Sequence, residues 1–180
     1  VLRLNPSLLL FVADAHLLQE EREAALQLYQ KIGAMNYTES FIEAAMVRKR
    51  LIIDGIEGEA LRTIYYEGVE DSVKSVFLQN KLLQQKESPF LQYLLAAVKE
   101  RNGESFSAAM LYQTVLDSET GNDMKYFAAV RAATILYGKN EWERAKSLYW
   151  YAKNFAPTET MRDYLDERIE LFDALSIELQ

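Results

Sequence analysis

His16 is the only histidine of the 180-residue chain, and there is no cysteine. Acid–base work needs a group that titrates near neutral pH beside a positioned partner. His16 has no such partner in its pattern, and no nucleophile-elbow sequence stands near it. It is therefore read as a packed or partly exposed side chain. The lack of cysteine excludes disulfides, thiol nucleophiles and zinc sites built on sulfur. Carboxylates come in pairs at Glu20-Glu21, Glu57 with Glu59, Glu70-Asp71 and Asp166-Glu167. Two carboxylates facing each other across a cleft can hydrolyse a glycoside. These pairs instead fall in first helical turns or on wet faces, where negative charge suits the helix dipole. The stretch from Asp117 to Asp123 has acids but lacks the alternate spacing and terminal glutamate of a calcium loop. No glycine-rich phosphate cradle is present. The expectation is a chain with no catalytic, cofactor-binding or metal-binding residues; the enzymatic rival is a carboxylate pair set within the helical framework.

The elements that must position any site are helices. Half the residues are apolar and a quarter charged, glycine and proline are scarce, and helix formers dominate. Asn5-Pro6 and Ser88-Pro89 each read as an N-cap followed by a first helical residue. Pro157 interrupts a long helical pattern. The apolar period predicts helices over about 6–18, 21–34, 39–54 (capped by Thr38), 57–67, 70–86, 89–101, 104–116, 123–137, 141–155 and 159–178. Links of two to seven residues predict antiparallel hairpins. Ten such helices make either a closed bundle or a stacked solenoid, and an internal repeat favours the solenoid.

Trp142, Ala145, Tyr149 and Ala152 fall at steps of three, four and three, one stripe of a helix. Such a stripe is read as packing between helices, the alanines allowing close approach and the aromatics filling the space beside it. Trp150 and Tyr151 point off the stripe, towards an exposed or second-layer contact. Ala133 stands twelve residues before Ala145. The same design recurs: Ala13 precedes Ala25, Tyr29 and Ile32, and Ala96 precedes Ala108, Tyr112 and Val115. At Ala60, followed by Ile64, the match is half lost because Arg48 stands twelve before. The alanine intervals are 35, 48 and 37 residues, the long one holding the extra segment 70–86.

This pattern resembles the tetratricopeptide repeat, a helix-turn-helix unit of about 34 residues. The resemblance rests on Ala133, Trp142, Ala145, Tyr149, Ala152 and Pro157, and more loosely on Ala13, Ala25 and Tyr29 and on Ala96, Ala108 and Tyr112. The opening Trp and Leu-Gly of the family motif are absent from the last unit, which has Ala129, Ala132 and Ala133 there. His16 falls where such repeats often place an aromatic. The fold expected is all-α: one tetratricopeptide-like domain over 1–180, an antiparallel helix-hairpin solenoid. Its units are 6–37, 38–68, 88–120 and 122–157, with an extra helix at 70–86. The last segment, 159–178, reads as a capping helix, with Met161, Leu165, Ile169, Phe172 and Leu175 on its apolar stripe and Arg162, Asp163, Asp166, Glu167 and Glu170 on its wet face. The rival for that segment is a dimerisation helix, which would give self-association through the C-terminal helix.

The resemblance implies a right-handed superhelix whose concave groove takes an extended peptide or a partner helix. By that resemblance the groove is lined by Leu10, Asp14, Lys49, Phe90, Tyr93, Phe127, Val130 and Thr134, with Ala45 and Ala97 among them. Lys49 is the only cation at the positions where some family members clamp a carboxylate, so a mixed apolar and aromatic peptide is the expected ligand. The alternative for Phe90, Tyr93 and Phe127 is that they pack between repeats. The function implied is a non-catalytic adaptor or assembly scaffold binding a protein or peptide, without cofactor. The alternative is a structural helical module of a larger multidomain protein, an envelope enzyme or regulator whose activity lies elsewhere.

A net charge of −7 repels phosphate backbones, so nucleic acid is not an expected partner. The run Arg48-Lys49-Arg50 is too short to reverse this and is read as a solvated helix face. No apolar run reaches the roughly 18–20 residues of a membrane span. The chain opens at Val1 without a charged leader, which suits a processed chain or a piece of a longer protein.

Overall fold

The computed structural model describes residues 5–35, 37–55, 70–85 and 88–178. Among them there are nine helices and no strand. They are α1 (Pro6–Leu18), α2 (Arg22–Gly33), α3 (Glu39–Ile53), α4 (Asp71–Gln84), α5 (Pro89–Arg101), α6 (Ser105–Leu116), α7 (Asn122–Gly138), α8 (Trp142–Lys153) and α9 (Glu159–Glu178). The chain is all-α, with helix boundaries within about two residues of the sequence reading. The helix expected over 57–67, with Ala60 and Ile64, lies outside the described residues, as does the side chain of Leu175.

The caps explain the starts. Asn5 accepts a hydrogen bond from the Ser7 N–H at 2.9 Å, and Ser88 accepts one from Leu91 at 3.3 Å. Thr38 precedes α3 but makes no side-chain cap; its hydroxyl lies 3.2 Å from that of Ser40.

The chain forms two compact units, Val1–Arg62 and Thr63–Gln180. In the first, α2 packs against both α1 and α3, and α1 also touches α3. In the second, each of α4 to α9 packs against its sequence neighbours, and α5 also touches α7. The core of the first unit gathers Leu9, Leu10, Ala13, Ala25, Tyr29 and Ile32 with Ala45 and Ile52. In the second, Phe90, Tyr93, Tyr112, Tyr126, Phe127 and Leu165 are fully buried.

Three hairpins share one turn. Glu20, Gly103 and Asn140 adopt positive φ of 64°, 78° and 61°. The next N–H, of Glu21, Glu104 or Glu141, then reaches five residues back to the carbonyl of His16, Lys99 or Leu136 at 2.9, 2.9 and 3.0 Å. This left-handed residue ends one helix and aims the chain antiparallel into the next. A Cβ built on Gly103 meets nothing within 4 Å, so any penalty there is conformational. Gly103→Ala is expected to cost about 1 kcal/mol, and Glu20→Gly to gain up to about the same. Shifts of the urea midpoint in opposite directions check this; equal shifts would contradict the left-handed turn.

Candidate functional site

The shared turn sets a shared contact. Ala13, Ala96 and Ala133 on the first helix of each hairpin, and Ala25, Ala108 and Ala145 on the second, are completely buried. Residues without side-chain bulk beyond Cβ let two backbones come close, and the space beside them goes to a tyrosine. Tyr29, Tyr112 and Tyr149 are all buried, and each turns its hydroxyl back to the preceding helix. Tyr29 donates to Asp14 Oδ1 at 2.6 Å, Tyr112 donates to Glu100 Oε2 at 2.8 Å, and the Tyr149 hydroxyl lies 3.3 Å from Thr134 Oγ1. A buried tyrosine needs such a partner for its polar end.

Polar side-chain pairs fasten the same joints. Glu21 meets His16 Nδ1 at 2.5 Å and Glu104 meets Lys99 at 2.7 Å, each bridging its turn. Glu141 instead pairs with Arg144 on its own helix. Arg48 Nε donates to Asp14 Oδ1 at 2.8 Å, so α1, α2 and α3 meet at one carboxylate. The guanidinium of Arg101 grips Asp71 through two bonds of 3.1 Å, joining α5 to α4. Those bonds, with the charge of Arg101 and Lys74, hold the Asp71 carboxyl below its ordinary range despite partial burial. Lys153 reaches Asp166 at 2.5 Å, tying α8 to α9.

The residues expected to line a groove fall into two classes. Phe90, Tyr93, Phe127, Leu10 and Val130 are buried, the first three to within 1% of fully. Tyr93 packs edge-on against Tyr112 at 5.6 Å, and Phe127 against Tyr126 at 5.1 Å. Asp14 and Lys49 are half-buried and Thr134 is exposed. In the second unit α5 and α7 touch, so Ala97 and Thr134 belong to one pair of packed helices. The accessible residues of the set are thus small or polar, and its aromatics are inside.

The stripe of Trp142, Ala145, Tyr149 and Ala152 divides likewise. Ala145, Tyr149 and Ala152 are buried, whereas Trp142 keeps partial exposure. Trp150 is half-exposed, with Lys153 Nζ 5.0 Å from its ring centre. Tyr151 leans on Phe155 at 5.0 Å. It also edges a shallow hollow of about 230 Å³ between α6 and α8, formed with Gln113, Leu116, Asp117, Ser147 and Leu148. That volume is below the usual range of small-molecule sites, about 300–1,000 Å³.

The carboxylate pairs serve joints or helix starts. Asp71 is held by Arg101, Asp166 by Lys153, and Glu70 precedes α4. Glu57 and Glu59 lie outside the described residues. Asp117 accepts a bond from Gln113 at 2.9 Å. Among the described residues no three of His, Asp or Glu stand together to hold a metal. No described helix is long and apolar enough to cross a membrane.

Sequence reasoning missed the Asp14–Tyr29–Arg48 junction and the Arg101–Asp71 clasp. The first had a signal: tyrosine recurs sixteen residues after Ala13, Ala96 and Ala133, with an oxygen-bearing side chain near each alanine. The second, thirty residues apart, had none. Comparison with protein-family models, with curated proteins and with solved structures finds no match to this chain.

Proposed function

We propose that this chain is a non-catalytic protein–protein adaptor or assembly scaffold, built as a tetratricopeptide-like solenoid. One observation carries the reading. Three hairpins share the same left-handed turn, the same pair of buried alanines and the same tyrosine reaching back. A unit that repeats its packing joint is a framework for presenting side chains on helix faces, and such frameworks bind extended partners. Charged groups such as Asp14, Arg48, Asp71 and Arg101 are engaged in fastening these joints.

The burial of Phe90, Tyr93, Phe127 and Val130 moves the proposed contact to accessible neighbours on the same helices. Ala97 on α5 and Thr134 on α7 take the place of the aromatic anchors. The test is affinity capture from lysate of the source organism, with mass spectrometry, comparing the native chain with an Ala97→Arg, Thr134→Arg variant. Circular dichroism must first show that the variant folds. The expected result is one protein recovered by the native chain and reduced at least tenfold by the variant. Equal recovery by both would put the contact on another face. No recovery by either would favour the structural module of a larger protein over the adaptor.

A further inference from the structure

Among the described residues, Arg48, Arg50, Arg101, Arg131 and Arg144 each meet a carboxylate, and Arg162 is exposed to water. Arg168 on α9 does neither: it is half-buried, and no described acid pairs with it. Its Nε donates to the Tyr164 hydroxyl at 3.1 Å, and its guanidinium lies 5.2 Å from the centre of that ring. A guanidinium is a fork of N–H donors. Those on its Nη atoms meet no acceptor among the described residues. A part-buried charge without a counter-charge is costly until something completes it.

The hydroxyls around it share this surplus of donors. Tyr164, Arg168 and Phe172 follow at steps of four on one face of α9. The rings of Tyr137 on α7 and Tyr149 on α8 both rest on Phe172, at 5.5 and 5.9 Å. Burial works against the charge of Arg168, while the Tyr164 hydrogen bond and the oxygens of Tyr164, Tyr149 and Tyr137 work for it and hold the guanidinium above its ordinary pKa. Thr134 gives its proton to the Val130 carbonyl at 2.9 Å, so Tyr149 donates to Thr134 and that pair is satisfied. The hydroxyl protons of Tyr164 and Tyr137 have no such acceptor among the described residues. The acids of α9 are turned elsewhere: Asp166 to Lys153, Asp173 to Lys146, and Glu167 and Glu170 to water.

Donors gathered without an acceptor among them describe a receptor for an oxyanion. We infer that Arg168, Tyr164 and Tyr137 form a carboxylate-binding site, the Nη groups of Arg168 gripping both oxygens and the two hydroxyls donating to the lone pairs that remain. One guanidinium balances one negative charge. A phosphate monoester carries nearly two at neutral pH, and the second would stand uncompensated beside a chain of net charge −7. The site is independent of the adaptor reading: a chain that captures no partner protein still binds the anion.

Nuclear magnetic resonance of the nitrogen-15-labelled chain tests it, with sodium acetate as the probe and sodium chloride at equal ionic strength as the control. The Arg168 Nε–H and the backbone amides of α7 and α9 beside it are expected to shift, with half-saturation at roughly 10–50 mM acetate. Arg168→Gln should abolish the amide shifts. Arg168→Lys keeps the charge but loses the fork, and should raise the half-saturation concentration at least about threefold. Tyr164→Phe should raise it about twofold or more, with circular dichroism unchanged. N-acetylglutamate amide presents a side-chain carboxylate and N-acetylalanylalanine a chain terminus. Whichever saturates below acetate names the source; if neither does, the source is a free small acid. Acetate shifts no larger than those with chloride would overturn the inference, as would equal shifts at Arg131 and Arg162. So would folded Arg168→Lys and Tyr164→Phe variants that bind acetate like the native chain. Methyl phosphate saturating at a lower concentration than acetate would overturn the carboxylate assignment.

Discussion

Phe127→Ala is expected to lose about 3–5 kcal/mol of stability, read as a large fall in the urea midpoint. The ring is 1% exposed on α7 and meets Tyr126 edge-on at 5.1 Å. Truncation removes the transfer free energy of the ring and leaves a cavity that helices fixed by α6 and α8 can only partly close. Thr134→Ala, two turns along the same helix, should change stability by about 1 kcal/mol or less. Its hydroxyl is shared between the Val130 carbonyl and Tyr149. The pair of variants separates two uses of one helix. If Phe127 served a ligand groove, its loss would spare the fold and weaken binding. A Phe127→Ala chain with an unchanged midpoint would return the ring to the surface and restore the aromatic groove.

This contrast shows why the site was harder to read than the elements. Helix periods, proline positions and the alanine–tyrosine spacing are local, and each leaves its mark within about fifteen residues of sequence. They place α1, α2 and α5 to α9 within about two residues. Whether Phe90 or Tyr93 faces a neighbouring helix or water depends on how closely the next helices approach. That distance depends on both helices of the hairpin, where Ala96 and Ala108 are each completely buried, and is a property of the pair and not of either segment. The resemblance that assigned groove positions carries a generic geometry, and here the rings at those positions go into the core. Long-range ion pairs such as Arg101–Asp71 had no local signature at all.

Leu165→Ala is the second large effect, with an expected loss of about 2–5 kcal/mol. Leu165 is completely buried, on the same stripe of α9 as Met161, Ile169 and Phe172. Phe172 meets Tyr137 edge-on at 5.5 Å and Tyr149 at 5.9 Å, so the stripe is fixed to both α7 and α8. Its wet side keeps Arg162, Asp163, Glu167 and Glu170 exposed, while Lys153–Asp166 and Lys146–Asp173 clamp the margins. A helix so placed covers apolar surface of α7 and α8 and turns charge outwards. Removing Leu165 should therefore loosen α8 as well, and faster amide exchange over Trp142–Lys153 is the accompanying observation to seek. A dimerisation helix predicts something else: Leu165→Ala would lower the average mass in solution and leave exchange in α8 untouched.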